Sequence, residues 1–191
     1  MKAMTCAVVL YLALLTGCGT LNNRNHPENI STTQVSSGSG IVILSAGAPE
    51  KCFSTSTFLK VLPAARSYFD SEVALLSVDG YAVKSDFADH HGYLHAVPLA
   101  PGTYYLAAWI ANPYVKPVHV PKAEFSVSAG EVIYLGEYYM SVSCVWNPQS
   151  QFRDQEKRDM ALLAQMNPTL AKAHVVKRIS AFSGYAVGGP R

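Results

Sequence analysis

The chain has 191 residues, 49% of them apolar and 15% charged, with 15 Lys+Arg against 13 Asp+Glu. That charged share lies well below the usual ~25%, which argues against disorder and against an acidic or basic tail. A net charge of +2 leaves no broad electrostatic footprint for nucleic acid, and the length allows one ordinary domain with appendages.

Lys2 is the only charge before Arg24, and residues 3–15 form an apolar stretch of 13 residues. A transmembrane helix needs about 20 such residues, so the stretch fits the h-region of a secretory signal peptide instead. It ends in Leu15-Thr16-Gly17-Cys18. This run resembles the lipobox of bacterial lipoproteins: an aliphatic residue, a small residue, Gly or Ala, then Cys. The resemblance implies a signal peptide over 1–17, cleavage before Cys18, a diacylglyceryl group on its thiol and, in many bacteria, an acylated amine. Two or three chains anchor a protein stably, where one does so only marginally. The implied partner is a membrane and the implied location the cell envelope. Gly19 in place of Asp points to the periplasmic face of the outer membrane.

Residues 18–40 carry no aromatics and few aliphatics, with many Asn, Ser, Thr and Gly, and read as the lipidated Cys and a flexible tether. At about 5–6 Å × √n, such a tether reaches roughly 25 Å. Strand signals begin at residue 41. Short runs at 41–44, 52–59, 73–78, 93–99, 103–110, 123–128 and 131–145, separated by Gly, Pro, Asp and Ser, predict a sandwich or barrel over 41–146. Leu99-Ala100-Pro101-Gly102-Thr103 and Ser128-Ala129-Gly130-Glu131 read as hairpin turns, the first of type II. In the strand after the second, Val132, Tyr134, Gly136, Tyr138, Met140, Val142, Cys144 and Trp146 share one parity and predict one apolar face, with Gly136 a candidate bulge. Asn147-Pro148 then suits a helix start. Residues 152–166 place Met160, Leu163 and Met166 at helical spacing, while Arg153, Asp154, Glu156, Lys157, Arg158 and Asp159 read as a solvated face. Asn167-Pro168 should end the helix. An extended stretch at 173–179 completes the segment 147–179 packed on the sandwich, and 180–191 reads as a flexible tail.

The run Leu99, Pro101, Gly102, Tyr104, Leu106, followed by Phe125, Val127, Ala129, Gly130, Glu131, Tyr134 and Gly136, is similar to transthyretin-like or carboxypeptidase-regulatory-like modules. It is similar too to a group of bacterial lipoproteins built on such a sandwich. The fold expected is therefore mainly β: an antiparallel transthyretin-like β-sandwich with one C-terminal α-helix. The motif marks strand and turn geometry, so it specifies fold better than chemistry.

With Cys6 in the signal peptide and Cys18 lipidated, Cys52 and Cys144 remain in an oxidising compartment. An even pair there reads as a disulfide, with buried free thiols or a reactive Cys as the alternatives. Asp86, Asp89, His90, His91 and His95 form the densest polar cluster, and Asp89, His90, His91 and His95 are the right atoms for a metal. In a strand, however, His91 and His95 stand about 13 Å apart, and the bland alternative is an exposed loop. Tyr93, Tyr104, Tyr105, Tyr114, Tyr134, Tyr138 and Tyr139, with Trp109 and Trp146, fall within 54 residues. They read either as an aromatic platform for a glycan or partner protein or as sandwich packing. No GxSxG, HExxH, P-loop, CxxC or strand-placed GxGxxG appears, and no cofactor or catalytic residue is expected. The function expected is a lipid-anchored envelope binding or scaffolding module. The alternatives are a small envelope enzyme or metal-binding protein using His90, His91 and His95 with His119 or His174, and an accessory lipoprotein of an envelope or secretion complex.

Overall fold

The computed structural model describes residues 25–31, 38–80, 82–112, 114, 116–145 and 149–188. The signal peptide, Cys18, most of the tether, Trp146, the Asn147-Pro148 helix start and the last residues of the tail lie outside the described residues. Among those described, strands form two sheets and one α-helix covers one of them. The strands are β1 (Gly40–Ala48), β2 (Thr57–Pro63), β3 (Ala74–Ser77), β4 (His91–Leu99), β5 (Gly102–Ile110), β6 (Val120–Val127), β7 (Val132–Met140), β8 (Ser150–Arg153), β9 (Val175–Lys177) and β10 (Gly184–Val187); the helix is α1 (Glu156–Met166). The first sheet runs β4-β1-β7-β8 with β9 also on β7, and the second runs β10-β6-β5-β2-β3. Most pairs are antiparallel, while β1–β7 and β7–β9 are parallel.

The mainly β sandwich with one helix is therefore the fold, with a finer correction at both turns. β4 lies in the first sheet and β5 in the second, so the 99–103 link crosses between sheets and forms no hairpin. The same is true of 128–131, which carries the chain from β6 back to β7. Gly102 is not in the left-handed region that a type II turn requires, whereas Gly130 is, at φ +72°. The Tyr104 hydroxyl donates to the Ala100 carbonyl (2.8 Å) and holds the first crossing in place.

Between the sheets lie Val42, Leu44, Leu59, Val61, Leu76, Val97, Leu106, Phe125, Ile133, Leu135, Tyr138 and Met140. β1 is buried along its whole length because its other face, Ile41 and Ile43, is covered too. That second core joins Leu94, Ala96, Val132 and Tyr134 to Leu163 of α1 and to Ile30. Outer-face packing of the second sheet is thinner, with Tyr68 from the 64–73 loop over Leu62, Tyr105 and Ala107.

β7 breaks the single parity expected of it. The register passes from Ile43–Tyr134 to Ser45–Glu137, one residue longer on β7, with Gly136 at φ +87°. Ile133 and Leu135 point inward before the bulge and Tyr138 and Met140 after it, so Tyr134 and Glu137 share the outer face although three residues apart. The bulge was legible in the lone glycine; the switch of face was not.

Three segments differ from expectation in extent. Phe152 belongs to β8, paired with Tyr138 and packed edge-on against its ring, and the helix starts only at Glu156. The predicted flexible tail contains β10, which pairs with β6 and closes that edge. Residues 25–31, expected within a flexible tether, are docked. A short 3-10 turn at Pro27–Asn29 leads to Ile30, 5% exposed, and Asn167 Nδ2 donates to the carbonyls of Pro27 and Ile30 (both 2.9 Å). Low hydrophobicity pointed to a tether, but buried Pro27 and Ile30, the Asn167 amide and the contacts of Asn25 and His26 with Ala96, Leu75 and Asp86 seat the strap.

That strap also finishes the β4 edge. Ala96 N–H donates to the Asn25 carbonyl (2.8 Å), Leu94 N–H to Asp86 Oδ2 (2.9 Å) and Gly92 N–H to Ser85 Oγ (3.0 Å). Pro98, next in the alternation, has no N–H to satisfy. An edge blocked in this way offers no template for another chain.

A Cβ at Gly136 would stand 2.7 Å from the Arg153 carbonyl, while one at Gly130 would meet nothing within 4 Å. Both glycines have positive φ, so Gly130→Ala should cost about 1 kcal/mol from backbone strain alone. Gly136→Ala should cost at least twice that in urea unfolding; equal losses would mean that the bulge tolerates a side chain.

Candidate functional site

The four metal candidates are divided between two faces of the first sheet. His91, Tyr93 and His95 alternate on the inward face, where His91 Nε2 donates to the Gly80 carbonyl (2.9 Å) and His95 Nε2 to the Ser77 carbonyl (2.9 Å). Tyr93 reaches the same Gly80 carbonyl (2.6 Å), so these three side chains tie β4 to the end of β3 across the core. His90, just before β4, turns the other way. Its Nδ1 is 2.8 Å from Asp89 Oδ1 and its Nε2 is 2.8 Å from Glu137 Oε1, the latter contact bent from the line of a hydrogen bond. Among the described residues no three His, Cys, Asp or Glu side chains converge as ligands. Of the histidines considered as recruits, His119 lies against Tyr185 and His174 is exposed after the Leu170–Lys172 turn.

Cys52 and Cys144 stand at disulfide distance, with Cα atoms 5.2 Å apart. Cys52 follows β1 and Cys144 follows β7, so the pair joins the ends of two parallel neighbours.

The largest concentration of charge lies where α1 meets the first sheet. Glu137, Asp159 and Ser45 are each 0% exposed. Ser45 Oγ (2.6 Å) and the Tyr134 hydroxyl (2.7 Å) both donate to Asp159 Oδ2, and Arg158 Nε donates to Asp159 Oδ1 (2.9 Å). Arg158 Nη2 also reaches Glu137 Oε1 (3.0 Å) and Ser45 Oγ (3.1 Å). Arg153 binds Glu137 Oε2 through Nε (2.9 Å) and Nη2. Aromatic rings wall the cluster: the Arg158 guanidinium lies 4.0 Å over Phe87, Arg153 lies 3.4 Å over Tyr139, and Phe87 stacks on His90 at 4.7 Å.

Sequence reading missed this cluster. Arg153, Arg158 and Asp159 were expected on a solvated face; Asp159 instead is fully buried and the two arginines reach inward. Glu137 was the available signal, an acid inside a strand apolar on both parities, and such a charge survives only when paired. Burial works against charge on both Glu137 and His90, but their partners win: Glu137 is held below the usual carboxylate range by His90, Arg153 and Arg158, and His90 is raised by Glu137 and Asp89. Chemically the arrangement is an ionic clamp. The buried Ser45 hydroxyl meets a carboxylate and a guanidinium, while the imidazole of His90 is engaged by carboxylates, so the geometry is not that of an activated nucleophile.

Solvent meets aromatic rings on the second sheet. Phe58 and Trp109 pack at 5.7 Å on its outer face, Phe69 (72% exposed) rests edge-on against Tyr68, and Tyr114 just past β5 is 87% exposed. The other tyrosines of the cluster pack: Tyr93, Tyr104, Tyr105, Tyr134 and Tyr138 are buried, and Tyr139 is half-buried beneath Arg153. No family model, curated protein or solved structure matches the chain in comparison with known proteins.

His95 and His90 should give opposite pH dependences. Burial, opposed by the Ser77 carbonyl and nearby Asp86 and favoured by His26, pushes His95 down to about 4. Its contribution is fully present above the ordinary value of 6.5 and lost as pH falls through about 4, on the order of 3 kcal/mol. His90, raised above 6.5, contributes below that value and loses its contribution as pH rises through its folded pKa. Urea unfolding should therefore show a shallower acid limb in His95→Gln and a flatter alkaline limb in His90→Gln; acid limbs that superimpose on wild type would refute the first.

Proposed function

We propose that the chain is a lipid-anchored protein of the cell envelope, held through Cys18, whose transthyretin-like sandwich serves as a binding or scaffolding module. The observation that carries this reading is the division of the cysteines. Cys52 and Cys144 stand at disulfide distance within the folded domain, which suits an oxidising compartment, and Cys18 alone follows an export-type apolar stretch in lipobox context. The periplasmic face of the outer membrane follows from Gly19. A binding role is supported by where the chain leaves apolar surface open. Phe58, Trp109, Phe69 and Tyr114 offer rings of the kind enriched at interfaces, suited to a glycan or an envelope protein. The clamp of Glu137, Asp159 and the two arginines supports a structural rather than a catalytic use of the buried charges.

In bacterial cells the wild-type chain should partition into the detergent phase on Triton X-114 separation, and Cys18→Ser should move to the aqueous phase. Persistence of the variant in the detergent phase would sink the anchor assignment. Phe69→Ala and Tyr114→Ala should leave unfolding nearly unchanged while reducing crosslinking of the domain to its envelope partners.

A further inference from the structure

We propose that the N-terminal strap is a latch that sets how far the anchored domain can stand from its membrane, with the His26–Asp86 contact as the part that responds to pH. The reach rests on the lipid anchor at Cys18, whereas the latch itself does not. The strap enters at the edge shared by the two sheets. The Asn25 carbonyl accepts Ala96 N–H of β4 (2.8 Å), and Asn25 Nδ2 donates to the Leu75 carbonyl of β3 (3.4 Å). Seven Cα steps separate Cys18 from Asn25. At about 3.3–3.6 Å per step they span at most about 25 Å, whatever their conformation. The next described residue past the strap that is tied to a sheet is Ser39, whose carbonyl accepts Gly130 N–H (3.0 Å). With the strap released, twenty-one steps would lie between Cys18 and that point, spanning at most about 75 Å.

The strap's hold on the domain is local. It joins neither sheet as a strand, and its buried apolar side chains are those of Pro27 and Ile30, whose carbonyls Asn167 Nδ2 fastens. A segment with so few buried apolar contacts can open at less than the free energy of global unfolding, with both sheets left intact. His26 is the hold whose charge changes near neutral pH.

Two carboxylates flank that imidazole. Its Nε2 lies 3.5 Å from Asp86 Oδ1 and its Nδ1 lies 3.6 Å from Glu28 Oε2. Asp86 is fixed independently of the strap: its Oδ2 accepts Leu94 N–H (2.9 Å), and its own N–H donates to the Gly92 carbonyl (2.9 Å). The titratable groups around His26 are thus Asp86 from the loop before β4, Glu28 on the strap and His95 from β4, which burial keeps neutral above about 4. Leu75 of β3 and Asn167 after α1, which also hold the strap, carry no charge. The Asp86 contact raises His26 above its ordinary 6.5, burial opposes the rise, and the charges of Asp86 and Glu28 add to it. A group raised in this way contributes fully below 6.5 and loses its contribution as pH rises through the folded value. The imidazolium therefore fastens the strap at mildly acidic pH, and the neutral ring leaves Asp86 without that cation as pH rises. Opening bares Ala96 N–H and the Leu75 carbonyl, while β1 and β7 stay paired inside the first sheet.

The test uses the full lipidated chain in vesicles of phosphatidylethanolamine and phosphatidylglycerol, compared at about pH 6 and about pH 9. Hydrogen exchange, corrected for the intrinsic rate, reads the latch. Between the two conditions, protection of Ala96 should fall several-fold more than that of Val42 and Ile133, which pair β1 with β7. In His26→Gln, and in Asp86→Asn, which keeps an acceptor for Leu94 N–H, that excess should vanish. No excess in wild type, or an equal excess in both variants, would overturn the latch. Energy transfer from a dye on Tyr114→Cys, a position 87% exposed, to acceptor lipid reads the reach. Transfer should drop at the higher pH in the otherwise wild-type chain and change little once His26→Gln is added. Unchanged transfer in a chain whose Ala96 has lost protection would overturn the link to reach. Vesicle flotation keeps the anchor apart. If wild type fails to float, the Cys18 anchor and the reach fall together, while exchange at Ala96 still decides the latch.

Discussion

A carboxylate with no exposed surface sits in the central region of the first sheet, and the structure around it is arranged to keep it charged. Glu137 receives Arg153 from β8, Arg158 from α1 and His90 from the loop before β4. Each partner arrives from a different element, so satisfying one buried charge fixes the relative positions of three. Replacing such a cluster with apolar side chains is often neutral or stabilising in other proteins, so its worth is not measured by strength alone. Here it sets register. An apolar helix face would tolerate sliding along β1 and β7, whereas Asp159 can meet Ser45 and Tyr134 together in one position only.

The clamp depends in turn on a single backbone irregularity. Without the extra residue at Gly136, strict alternation would place Glu137 on the side of Ile133 and Leu135, inside the sandwich among apolar side chains and away from Arg153 and Arg158. The bulge moves the acid to the outer face and returns Tyr138 and Met140 to the core. A glycine with positive φ, a buried acid and two arginines outside the strand thus form one device, although they lie in separate elements.

That dependence explains what the sequence made legible. Short apolar runs broken by turn residues were enough for a mainly β sandwich, and two cysteines left after the terminal segment were enough to anticipate their proximity. Both signals are local or simple counts. The links at 99–103 and 128–131 look like hairpin turns because a turn's chemistry does not say whether the chain re-enters the same sheet or crosses to the other. The tail and the strap read as loose because their stabilisation comes from distant partners: Lys122 and Pro121 for β10, Asn167 and Ala96 for residues 25–30. The face of charges on α1 looked solvated for the same reason. Nothing in the spacing of Arg158 and Asp159 reveals that Glu137 and Ser45 await them.

The two outer faces of the sandwich consequently end in different states. Over the first sheet, ionic pairing, a helix and an N-terminal strap bury β1, β4 and most of β7, and the N–H groups of the β4 edge find acceptors in Asn25, Asp86 and Ser85. Over the second, one loop covers only the middle, and the Phe58–Trp109 pair reaches solvent. Charge would be the usual way to make a free sheet face soluble, and Lys122 and Glu124 do so along β6. On β2 and β5 aromatic rings occupy the equivalent positions. A sequence that spends buried charge to seal one face and leaves rings on the other distinguishes the two surfaces chemically, and only the second retains the apolar area that association requires.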